Sequence, residues 1–129
     1  MRYVCLIYGD SDAFDALSKQ EAEALVDEHL VYDDTLRERG QWVTAEAMQG
    51  PETAKLVRMR NGRISATDGP FAETKEQIGG FFVIEAATPE EAIEIAGRIP
   101  SARLGTVELR PVRDLIDERA GQAATSGPG

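Results

Sequence analysis

The chain is short of positive charge: Lys and Arg total 14 against 23 Asp and Glu, a formal net charge of −9. A phosphate backbone or an anionic lipid surface is repelled by such a balance unless the basic residues are segregated. They are not, because the one basic run, Arg58, Arg60 and Arg63, alternates along a candidate hairpin and is followed by Asp68, Glu73 and Glu76. Direct nucleic-acid binding and membrane association are therefore not expected. No apolar run approaches the ~20 residues that cross a bilayer. Met1-Arg2-Tyr3-Val4 runs into a strand pattern rather than a signal peptide, so the expected location is cytoplasmic. With one cysteine an intrachain disulfide is excluded, and Cys5, inside the first strand pattern, reads as a buried inert thiol.

Metal and nucleotide motifs are missing as well. Asp10-Ser11-Asp12 has neither the Gly nor the terminal Glu of a calcium loop, no Cys/His spacing suits zinc, and no Gly-rich loop follows a strand. No metal or cofactor is expected. Ser65, Ser101 and Ser126 have no nearby histidine in sequence and give no nucleophile signal.

What is present is the balance of one folded domain: 129 residues, 42% hydrophobic and 29% charged. Residues 2–8 are apolar at nearly every position, as in a strand covered on both faces, and Gly9-Asp10-Ser11-Asp12 ends it. Ser18 and Glu21 form a capping-box pattern that starts a helix running to Arg39, with Gly40 as its left-handed stop. The period changes to two between Gln41 and Gln49, with Val43, Ala45 and Ala47 on one side and Trp42, Thr44 and Glu46 on the other. Asn61-Gly62 between alternating runs signals a hairpin. Phe81 to Ile84 is a second strand apolar on both faces. Thr88-Pro89-Glu90-Glu91 starts a helix that Pro100 stops. Gly105 to Val112 is the last strand, and Asp114 to Arg119 adds one helical turn before the small, polar stretch from Gly121 to Gly129.

The order β-α-β-β(hairpin)-α-β is that of an α+β, ferredoxin-like split βαβ unit, an antiparallel sheet with both helices on one face. The domain is expected over residues 1–115, with 116–129 a flexible tail. Two strands apolar on both faces, with too few helices to cover them, predict a homodimer joined sheet to sheet.

Two clusters could carry chemistry. His29 and Asp33 lie at i and i+4 near the middle of the apolar stripe Ala22, Leu25, Val26, Leu36, where a carboxylate would fix the imidazole tautomer and raise its pKa for acid–base work. The alternative is that both solvate the edge of a narrow stripe. Asp68-Gly69-Pro70-Phe71-Ala72-Glu73-Thr74-Lys75-Glu76 is dense in ionisable groups held between Gly-Pro and Gly79-Gly80 turns. There Asp68 could point into a cleft and Lys75 could hold an anionic group, or all could be a turn with surface ion pairs.

That segment, followed by Gly79-Gly80-Phe81, resembles the signature of the DGPF branch of the YCII-related proteins. The resemblance extends to Tyr3–Tyr8, Gly40, Pro100, Gly105 and Val107–Pro111. It implies a dimeric ferredoxin-like α+β barrel with a cleft near the sheet, for which a His–Asp active site has been proposed. Asp68 carries over from the motif, and Glu73, Lys75 and Arg110 by position; His29 rests on helix geometry. The expected function is a small-molecule enzyme or binder, with His29 as acid–base, Asp68 or Asp33 as its carboxylate partner, and Lys75 and Arg110 as anion-holding groups. The alternatives are a non-catalytic accessory module linked to an extracytoplasmic-function sigma factor, as the resemblance implies, and a cofactor-free oxygenase by analogy of fold.

Overall fold

A computed structural model describes residues 1–125. Strand β1 (Arg2–Asp10) lies inside a four-stranded antiparallel sheet, paired on one side with β5 (Glu76–Glu85) and on the other with β6 (Gly105–Pro111). Strand β2 (Trp42–Ala47) pairs with the far side of β5, so the order is β2-β5-β1-β6. This is the ferredoxin-like α+β arrangement, and within one chain the sheet is open rather than closed into a barrel.

Helices α2 (Lys19–Glu38) and α3 (Pro89–Gly97) cover one face. That face carries the alternate residues Tyr3, Cys5 and Ile7 of β1 with Phe82 and Ile84 of β5, all buried against Leu36, Ile95 and Ile99. Each of the larger side chains there contributes roughly 1.5–3 kcal/mol by leaving water. Burial pushes the Cys5 thiol up to about 11, which keeps it protonated and unreactive. The residues between them, Val4, Leu6, Phe81 and Val83, point to the other face and stay partly exposed. They are paired across the strands, Val4 with Val83 and Leu6 with Phe81, as one continuous apolar strip.

The helix boundaries follow local chemistry. Ser18 Oγ accepts from the Glu21 amide and Glu21 accepts from the Ser18 amide, both at 3.0 Å, which satisfies two amides of the first turn of α2. At the other end Gly40 has φ +68°, a conformation open to glycine. Thr88 accepts from the Glu91 amide and Pro89 opens α3; the Glu91 carboxylate, instead of closing a capping box, accepts from Gln41 Nε2 at 2.8 Å. That bond ties the connection between α2 and β2 to α3, and the one from Tyr32 Oη to the Ile95 carbonyl, at 2.6 Å, ties the C-terminal half of α2 to α3.

Strands β3 (Lys55–Arg60) and β4 (Arg63–Asp68) form a separate two-stranded sheet, turning through Asn61 (φ 51°) and Gly62 (φ 73°). One of its faces exposes Val57, Met59 and Ile64.

Three details differ from the alternation and length read in the sequence. The register of β2 against β5 shifts between Trp42 and Thr44, so Trp42 joins Ala45 on the helix side, its ring edge-on to Phe82 at 5.9 Å. A five-residue helix α1 (Ser11–Asp15) forms where only a strand end was expected, capped by Asp10 accepting from the Asp12 amide. Helix α4 (Leu115–Thr125) passes Arg119 and takes in 121–125, an Ala-rich stretch with helix-forming propensity. The remaining part of the expected tail, 126–129, lies outside the described residues. Among the described residues no helix is long and apolar enough to cross a membrane.

Candidate functional site

Helix α2 spans 20 residues, about 30 Å at 1.5 Å per residue, and is longer than the sheet needs. Its C-terminal half packs down through Leu36 and Tyr32, while in its N-terminal half only Leu25 is buried, and Val26 and Leu30 are each 57% exposed. A cavity of about 690 Å³ opens between this half of the helix and the β2–β5 edge of the sheet. Its walls come from α2 (Leu25, Val26, His29, Leu30, Asp33), from Phe14 of α1, from residues 45–51 and from Gln77 to Gly80 with Phe82 of β5.

His29 and Asp33 share that wall, one helical turn apart. The imidazole is half-buried, with its ring centroid 6.3 Å from that of Phe82. Burial holds the His29 pKa below 6.5; Asp33 and Glu28 pull it upward, and Arg103 pushes it further down. Asp33 does raise this pKa, as expected of a neighbouring carboxylate, but desolvation by the helix–sheet packing outweighs it and the net direction is downward. Asp33 is shifted the opposite way: burial raises its pKa, against the lowering influence of Arg37 and His29. Its Oδ1 is buried without a hydrogen-bond partner. An imidazole neutral at physiological pH, beside a carboxyl group whose proton is held more tightly than usual, can take and return a proton without large cost.

The other residues singled out in the sequence lie elsewhere. Asp68 ends β4 with its side chain 84% exposed, ion-paired to Lys55 across the hairpin, and does not line the cavity. Glu73 is exposed in the loop that follows. Lys75 stands 3.6 Å from Asp10, and Arg110 pairs with Glu108 at 3.3 Å on the open sheet face. The structure therefore brings His29 to Asp33 and not to Asp68, and neither Lys75 nor Arg110 meets the imidazole in one subunit. Gln77 pins the loop by donating to the Ala72 and Thr74 carbonyls at 2.7 and 3.0 Å, while Phe71 is 83% exposed.

The contribution of this segment to the cavity is its trailing part, which reasoning from charged groups overlooked. Gly79 and Gly80 line the wall, and a Cβ on Gly80 would stand 2.8 Å from the Glu46 carbonyl oxygen. Consecutive glycines ahead of an apolar strand were the available signal for such a close approach. Phe14 also lines the cavity, and no periodicity marked it. Among the described residues no group of three or more His, Cys, Asp or Glu side chains is placed to hold a metal ion.

Residues 1–116 match the family described as YCII-related domain. An uncharacterized protein of Rhizobium meliloti (strain 1021) is 32% identical over 114 residues, covering 87% of this chain and 92% of that protein.

Proposed function

The chain belongs to the YCII-related family, and from that premise we propose that it binds a small molecule in the cavity under α2 and acts on it by proton transfer, with His29 as the acid–base group and Asp33 as its partner. The observation that carries this reading is the cavity itself: about 690 Å³, walled largely by apolar side chains, with one imidazole and one partnerless carboxylate oxygen on the same helix face. A core histidine at a stripe edge would not need an open volume of that size beside it. Proton transfer at His29 needs no further group on the protein, and its lowered pKa favours the base form at the start of a turnover.

The working unit in this reading is a homodimer. Val4, Leu6, Phe81 and Val83 form a strip on the face that α2 and α3 leave open, and a second copy of the same strip is its natural cover. Such a pairing would also bury Arg110 and Glu108 near the partner, which is how Arg110 could still take part in a site.

The test is a titration of the single histidine by NMR. Asp33→Asn removes the main upward influence on His29 and should lower its pKa further. An unchanged titration would separate the two residues and remove the acid–base role. A second reading, an accessory module in a sigma-factor-linked pathway, is favoured by the exposed Val57, Met59 and Ile64 face of the hairpin, a surface suited to protein contact. Substituting Val57 and Ile64 with Ser would abolish biological activity under that reading and spare it under the first.

A further inference from the structure

Taking the cavity under α2 as the working site, we infer that its ligand is a neutral or singly cationic amphipath: an apolar body carrying an amine or hydroxyl head, not a carboxylate or a phosphate ester. The inference rests on which charges line the volume. Asp15, Asp33 and Glu46 are on its walls, and no Lys or Arg is among the lining residues. The arginines whose charge reaches the His29–Asp33 pair are engaged outside the cavity. Arg37 pairs with Asp34 at 2.9 Å and lies over the Trp42 ring at 4.2 Å, and Arg103 pairs with Glu28 at 2.7 Å.

The N-terminus of α2 does not make up the deficit. The first turn of α2 is closed by the reciprocal Ser18–Glu21 bonds, which place a carboxylate where an anion would otherwise sit. An anionic head entering this cavity would lose hydration and face the carboxylates of Asp15, Asp33 and Glu46 with no Lys or Arg on the walls to pair with it. An ammonium or hydroxyl head can instead donate to the Asp33 carboxylate on the cavity wall. The apolar body has matching walls in Phe14, Leu25, Leu30, Ile78 and Phe82. Reading the substrate from the exposed Lys75 and Arg110 gives the opposite sign, and neither residue reaches this volume.

The experiment uses a matched eight-carbon series, octylamine, octanol and octanoate, added below micelle-forming concentrations to the full chain near neutral pH, with the His29 ring resonance as readout. Octylamine and octanol should shift that resonance saturably, and octanoate should bind at least about tenfold more weakly than octylamine. Asp33→Asn should weaken octylamine about tenfold while leaving octanol within about twofold. Octanoate binding as tightly as octylamine would overturn the inference, as would a series in which no member moves any resonance from the cavity wall. The acid–base reading is scored separately on the ligand-free protein. If Asp33→Asn lowers the His29 pKa but the series gives the wrong order, the ligand class fails and the pair stands; if octylamine binds selectively but the pKa does not move, the class stands and the pair fails.

Discussion

The rings of His29 and Phe82 face each other with centroids 6.3 Å apart and planes inclined at 39°. Phe82 is only 3% exposed, and it also meets Tyr32 at 6.4 Å and Trp42 at 5.9 Å. One side chain thus anchors the helix–sheet core and forms the dry wall behind the imidazole. Phe82→Ala should cost ~3–5 kcal/mol in denaturant unfolding. It should also move the His29 pKa back toward 6.5, because water entering the vacated volume relieves the burial that lowers it. Phe81→Ala, on the open face, should leave the His29 titration unchanged.

The lowered His29 pKa makes folding stability depend on pH. Between the folded value and 6.5 the unfolded chain binds more protons at this residue than the native one, so stability rises with pH through that window. The contribution is complete above about pH 6.5 and is lost as pH falls toward the folded pKa. Asp33, whose folded pKa lies above 3.8, acts with the opposite sign in the carboxylate range, where stability falls as pH rises. Urea midpoints measured from about pH 7 to about pH 5 should therefore fall more steeply for the native chain than for His29→Gln. Parallel curves would mean that His29 titrates as it does in the unfolded chain.

Much of the fold was legible because it is specified over short stretches. Ser18 and Glu21 satisfy each other three residues apart, Asn61-Gly62 sets a turn by its own dihedral preferences, and the two-faced strands 2–8 and 81–84 announce a central position whatever surrounds them. Trp42 went to the opposite side from the one its alternation implied, since the irregularity between Trp42 and Thr44 is a property of pairing with β5 and not of β2 alone. The candidate site divided along the same line. Spacing on one helix was enough to join His29 to Asp33, whereas the partner of Asp68 is Lys55, 13 residues upstream, and follows from the hairpin register. The sign of the His29 shift depends on how closely α2 is packed, which a carboxylate at i+4 does not reveal.

The apolar strip on the open sheet face should make the chain dimeric at micromolar concentration. Light scattering should give twice the 14.1 kDa of one chain. Leu6 lies opposite Phe81 at the middle of the strip and is partly exposed in a single subunit, so Leu6→Glu introduces a charge with little disturbance of the helix-side core. The variant should scatter as a 14.1 kDa species with an unchanged far-UV spectrum. A native chain that is already monomeric at that concentration would show that the strip stays open to solvent.

Gly79 and Gly80, consecutive on the cavity wall, give a paired test of how closely β2 must approach β5. A Cβ on Gly80 would sit 2.8 Å from the Glu46 carbonyl oxygen, closer than such contacts occur, and that oxygen belongs to backbone. Relief requires β2 to move away from β5, which strains the pairing of Ala45 with Phe82 and Glu46 with Phe81 and shifts one wall of the cavity. Gly80→Ala should therefore cost ~1–3 kcal/mol, the usual penalty of overpacking. The neighbouring Gly79 offers the control, because a Cβ there meets nothing within 4 Å. Gly79→Ala should be neutral or slightly stabilising, by up to about 1 kcal/mol, through the reduced freedom of the unfolded chain. Chemical denaturation of the two variants side by side decides the matter: equal stabilities would mean that β2 yields freely at Glu46, and the cavity wall it forms would then be compliant rather than fixed.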